Sequence, residues 1–148
     1  MTLLNRRGLL GTGSAMLALA AFANKAAFAA GSPGLTTHML DTANGKPGEG
    51  VRIDFSVLEG GAYKLIKTVR TNADGRTLEP LLNEKTMKVG QYELAFYLAE
   101  YYTKLGTMLP NPPFIEKAVI QFGMADAASH YHVPVLATPW SYTTYRGS

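Results

Sequence analysis

The stretch Val51-Arg52-Ile53-Asp54-Phe55-Ser56-Val57-Leu58, followed by Gly60-Gly61 and a second run from Tyr63 to Thr71, decides the fold class. Val51, Ile53, Phe55 and Val57 alternate with Arg52, Asp54 and Ser56. Successive side chains of a strand point to opposite faces, so this alternation builds one apolar and one polar face. Gly60-Gly61 supplies two residues that take positive φ without strain, as a tight hairpin requires. Tyr63 to Thr71 is then the returning strand.

Outward from this hairpin the same punctuation recurs. Leu35 to Leu40 reads as a first strand, closed by the turn-rich Asp41-Thr42-Ala43-Asn44-Gly45-Lys46-Pro47-Gly48. Asn72-Ala73-Asp74-Gly75 is a turn that delivers Arg76. Gln91 to Leu98 is a strand, and Ala99 to Leu105 a short helix with Gly106 placed to cap its end. Pro110, Pro112 and Pro113 impose an extended connection. Ile115 to Phe122, His130 to Ala137 and Tyr142 to Arg146 complete the strands. Short strands roughly ten residues apart, with one short helix, predict an all-β chain: an antiparallel β-sandwich.

Residues 1–29 read as an export leader and not as part of this fold. Arg6-Arg7 form a basic start, an apolar run from Gly8 to about Ala23 is lightened by Gly11, Gly13 and Ser14, and Ala27-Phe28-Ala29 offers a cleavage site before Ala30. The arginine pair and Lys25 make it twin-arginine-like, although Asn5 stands where such signals carry Ser or Thr. An ordinary secretory signal is the alternative. The expectation is a periplasmic or otherwise exported domain over residues 30–148, with no membrane attachment after cleavage.

Removing Arg6, Arg7 and Lys25 from the 14 basic residues leaves 11, against 11 acidic ones. The domain is therefore formally neutral, and no basic surface points to a nucleic-acid partner. With the leader's 29 of 148 residues gone, 119 remain, one domain's worth. There is no cysteine, so thiol nucleophiles, thiolate metal ligands and disulfides are all out.

The polar groups able to do chemistry are few. His38 shares a strand face with Thr36 and Leu40. His130-Tyr131-His132 places two imidazoles on one face of another strand. Three readings stay open for these histidines: solvated side chains, a metal site completed by His38, or general acid–base chemistry near neutral pH. Arg76 reads either as a solvated residue or as a donor fork for an anion. Tyr145-Arg146-Gly147-Ser148 closes the sequence on a cluster of hydrogen-bonding groups.

Three blocks carry a resemblance over the whole domain. They are Leu35-Thr36-Thr37-His38-Met39-Leu40-Asp41 with Gly45-Lys46-Pro47; Thr71-Asn72-Ala73-Asp74-Gly75-Arg76; and His130-Tyr131-His132-Val133-Pro134-Val135-Leu136 running through to Tyr142-Thr143-Thr144-Tyr145-Arg146-Gly147-Ser148. In these the chain resembles the transthyretin-related 5-hydroxyisourate hydrolases. The last four residues look like the hydrolase signature that hormone-carrying transthyretins lack. The resemblance implies a transthyretin-like sandwich of two four-stranded sheets, assembled as a homotetramer with sites where subunits meet. It implies hydrolytic opening of 5-hydroxyisourate to 2-oxo-4-hydroxy-4-carboxy-5-ureidoimidazoline, without a cofactor or metal. The family's catalytic positions fall on His38, Arg76, His132 and Ser148, and Tyr145 and Arg146 complete its substrate-binding signature. His130 belongs to the motif without a usual chemical role. The leader is the one departure. A transthyretin-like carrier of a small ligand, without turnover, is the competing expectation.

Overall fold

The computed structural model describes residues 31–147; the leader read over residues 1–29 and the terminal Ser148 lie outside the described residues. The strands are β1 (Gly34–Asp41), β2 (Lys46–Pro47), β3 (Arg52–Glu59), β4 (Ala62–Arg70), β5 (Leu82–Asn83), β6 (Gly90–Phe96), β7 (Ala118–Met124), β8 (His130–Ala137) and β9 (Tyr142–Thr144), with helix α1 (Leu98–Lys104) between β6 and β7. They form two sheets, ordered β2-β1-β8-β9 with β5 also on β1, and β4-β3-β6-β7. Among the described residues no helix is long and apolar enough to cross a membrane.

The alternating stretch forms β3 and faces the core through Ile53 and Phe55. Gly60 and Gly61 have φ of 61° and 80°, and Glu59 pairs with Ala62, so the hairpin is the two-residue kind with positive φ at both positions. Leu35, Met39, Val133 and Val135 from the first sheet meet Phe55, Leu94 and Phe96 from the second. Each such side chain, fully buried, contributes roughly 1.5–3 kcal/mol from apolar area. Phe55 stacks on Tyr92, with ring centroids 5.6 Å apart, and extends this layer.

Three features differ from the reading of the sequence. The second sheet is antiparallel throughout, but β1 and β8 run parallel, which makes the first sheet mixed. Period-two alternation is the same for either direction. Nothing local to either strand sets the direction, because β1 and β8 are separated in the chain by all four strands of the second sheet. The short β5 adds a fifth strand to the first sheet, and two residues are too few to show a pattern. β9 ends at Thr144, before Tyr145 and Arg146.

Asp41 is 1% exposed and joins the helix to the first sheet. Its carboxylate accepts from the Tyr101 hydroxyl at 2.9 Å, the Tyr102 hydroxyl at 3.0 Å, and the Asn44 backbone and side chain at 3.0 and 2.7 Å. The Tyr102 hydroxyl also lies 2.8 Å from the Ala137 carbonyl at the end of β8. The same alternation that turns Asp41 inward turns His38 outward, so this carboxylate is part of the core and not of the histidine cluster.

Candidate active site

The site lies on the outer face of the first sheet, because the core claims the other face. Leu35, Thr37 and Met39 of β1 and Tyr131, Val133 and Val135 of β8 are buried. Thr36, His38, His130 and His132 therefore share the outer face, where all four are partly buried. The parallel register sets Thr36 beside His132 and Gly34 beside His130. The Thr36 hydroxyl sits between the imidazoles, 2.9 Å from His132 Nδ1 and 3.3 Å from His130 Nε2.

Arg76 arrives through the turn that precedes it. The Asn72 side-chain oxygen accepts from the backbone N–H groups of Asp74 and Arg76 at 3.0 and 3.1 Å, and Gly75 takes a φ of 74°. Glycine is required twice over: a Cβ here would run into the Met39 carbonyl oxygen. The Met39 N–H donates to the Gly75 carbonyl at 2.9 Å, and Arg76 bridges His38 in an antiparallel pairing. Directly paired residues share a face, so the arginine stands with His38.

The terminal segment closes the other side. The Gly147 N–H donates to the His132 carbonyl at 2.7 Å. A Cβ on Gly147 would lie 2.8 Å from His132 Cδ2, so only glycine lets the backbone lie against this ring. The register runs without a break from Val135–Thr144 to His132–Gly147, which sets Tyr145 opposite Pro134 and Arg146 opposite Val133. Tyr145 is exposed, while the Arg146 guanidinium stacks on the Tyr131 ring, 4.7 Å from its centroid. Arg146 thus stands on the side of the strand away from His132.

Electrostatics keep both inner histidines neutral. Burial pushes His132 down most, and the charges of Arg76, His38 and His130 add to it, bringing its pKa to about 4. His38 is also lowered, by burial first and by Arg76 next, partly offset by a hydrogen bond to the Asp74 backbone and by the Asp74 charge. The Nε2 of His38 is buried and makes no hydrogen bond among the described residues. Neutral imidazoles beside a fixed cation can take a proton from water while the guanidinium meets negative charge. Among the described residues no three of His, Cys, Asp or Glu are placed to hold one metal ion.

The structure brings together His38, Arg76, His130 and His132, with Gly147 against the His132 ring; Ser148 lies outside the described residues. Thr36 is the residue that reading the sequence did not single out. Its place two residues before His38, on the same face, was the available signal.

Two sheets of this order, with a histidine and arginine cluster on one outer face, define a transthyretin-like sandwich that carries a polar site. The model of the HIUase/Transthyretin family matches residues 35–147, and the chain belongs to that family. It is 52% identical over 114 residues to 5-hydroxyisourate hydrolase 2 of Rhizobium meliloti, a match that covers 77% of this chain and 95% of that protein. The structure of Klebsiella pneumoniae 5-hydroxyisourate hydrolase is similar with a TM-score of 0.61 and 32% identity, over 78% of this chain and 99% of that one. Sea bream transthyretin in complex with thyroxine is similar with a TM-score of 0.68 and 30% identity, over 76% of this chain and 93% of that one. Backbone shape alone does not separate the hydrolase from the carrier; the higher sequence identity to the hydrolase of Rhizobium meliloti does.

Proposed function

We propose that His38 and His132 activate a water molecule that opens the ring of 5-hydroxyisourate, with Arg76 stabilising the charge that develops on oxygen. The chain is a hydrolase of 5-hydroxyisourate, by its family and by relatives of that name matched over nearly their whole length. The observation that best supports the mechanism is the convergence of His38, Arg76 and His132, from three separate segments, on one sheet face.

The water oxygen bonds to the ring carbonyl carbon as its proton passes to an imidazole nitrogen. The resulting oxyanion meets the Arg76 guanidinium, an effect worth about 3 kcal/mol in comparable sites. The carbon–nitrogen bond then breaks, its electron pair stays on nitrogen, and the imidazolium returns the proton there. The product is the ring-opened acid, 2-oxo-4-hydroxy-4-carboxy-5-ureidoimidazoline, a step in urate breakdown. Ser148 orients substrate or water from the segment that Gly147 holds against His132. Tyr145 contacts substrate, and Arg146 keeps the segment in place through Tyr131.

The decisive measurement is the ultraviolet decay of freshly made 5-hydroxyisourate with purified protein. Decay well above the spontaneous rate is the expected outcome. A rate no faster than spontaneous leaves the small-ligand carrier, which the likeness to sea bream transthyretin favours. The proposal extends to a homotetramer with these faces toward one another, supported by the partly buried polar face and by His38 Nε2, buried without a hydrogen bond among the described residues. The leader over residues 1–29 supports export to the periplasm.

A further inference from the structure

The His132 ring is held from both flanks. On one flank its Nδ1 meets the Thr36 hydroxyl at 2.9 Å. On the other its Cδ2 packs against the Gly147 backbone so closely that a single added carbon would clash. Nε2 is the nitrogen left to face the site. The Thr36 hydroxyl in turn lies 3.3 Å from His130 Nε2. A hydroxyl has one proton, so between two imidazole nitrogens it donates to one and accepts from the other. Threonine is branched at Cβ and restricted at χ1, which fixes where that hydroxyl stands relative to the strand.

We propose that Thr36 and His130 are positioning residues for His132, forming a directed chain that fixes its tautomer. The inference rests on the hydrolytic reading of this site and gives His130 a role in it. His132 Nδ1–H donates to the Thr36 oxygen, and the Thr36 hydroxyl donates to His130 Nε2. His132 Nε2 then carries the lone pair that accepts the proton of water. When His132 becomes an imidazolium, the same chain spreads its charge toward His130, away from the Arg76 guanidinium. The groups facing His132 are Arg76 from the turn after β4, His38 from β1 and His130 from β8 itself. Thr36 is the hydroxyl through which the two histidines of β8 communicate.

The test combines kinetics with nitrogen NMR of the imidazoles in the full chain. Thr36→Val keeps the shape and removes the hydroxyl. Its kcat is expected to fall on the order of 10- to 100-fold with KM little changed, as for a small misplacement of a reacting group. Thr36→Ser is expected to restore kcat to within a few-fold, and His130→Gln to shift the acid limb of the pH profile. In the unmodified protein His132 is expected as the Nδ1–H tautomer above pH 6. Wild-type kcat and pH profile in Thr36→Val, or His132 found as the Nε2–H tautomer, overturns the proposal. The tautomer measurement needs neither turnover nor a folded variant. Failure of 5-hydroxyisourate hydrolysis would therefore count against the enzyme reading separately.

Discussion

His132 shows what burial does to one side chain. Its ring sits half-buried on the outer sheet face, next to a cation and two other imidazoles, and its pKa falls from 6.5 to about 4. The acid limb of kcat/KM is predicted near pH 4 and not near 6.5, because the base stays unprotonated far below its ordinary range. Arg76→Gln, which removes one of the charges holding it down, moves that limb upward; a limb near 6.5 in the unmodified enzyme overturns the assignment. The sign for stability follows from the same shift. Above 6.5 His132 is neutral in both the folded and the unfolded chain. As pH falls from 6.5 toward 4, the unfolded chain takes up a proton that the folded one refuses, so stability is lost across that window. At this scale the residues themselves narrow the chemistry to a few polar groups, His38, Arg76, His130 and His132 among them, and the family resemblance assigns hydrolytic roles to His38, Arg76 and His132. Thr36 is not, because its partner His132 lies 96 residues away in the chain.

Among the elements, α1 depends on one carboxylate. The seven residues Leu98–Lys104 are too short to form a stable helix alone. Its Tyr101 and Tyr102 hydroxyls are anchored on Asp41 at the end of β1. Burial pushes the Asp41 pKa up, but the hydrogen bonds from Asn44, Tyr101 and Tyr102 outweigh it and leave the pKa lowered. Both tyrosine pKa values are raised, by burial first and by Asp41 next. Asp41→Ala is predicted to destabilise the fold by about 1–3 kcal/mol, measured by urea denaturation at pH 7, because the buried Tyr101 hydroxyl loses its acceptor while that of Tyr102 keeps the Ala137 carbonyl. The Asp41 contribution is present above its unfolded value of 3.8 and lost as pH falls through the lower folded one, so the variant and the parent converge in strong acid. A variant as stable as the parent at pH 7 removes the anchor. The helix and its glycine stop at Gly106 are legible from spacing, whereas the anchor is not, since nothing local links Asp41 to residues 60 and 61 positions on.

On the scale of the whole molecule, the polar outer face is the feature that needs explaining. A sheet face with four partly buried polar side chains, one with an imidazole nitrogen that has no hydrogen-bond partner among the described residues, suits a surface met by further copies of the chain. Light scattering on protein recovered from the periplasmic fraction is predicted to give the mass of four processed chains. A monomer there, or full-length chain confined to the cytoplasm, refutes the assembly or the export respectively. The amino-acid sequence by itself determined the longer strands, the glycine turns, the short helix and the kinds of side chain available for chemistry. All of these are local: alternation has a period of two residues, and a turn is set by its own φ angles. Only the tertiary structure decided that β1 and β8 lie side by side and parallel, that Thr36 stands between two histidines, and that Gly147 closes on the ring of His132. Alternation states which face a side chain takes but not which strand lies alongside, because that choice is settled by packing two whole sheets around one core.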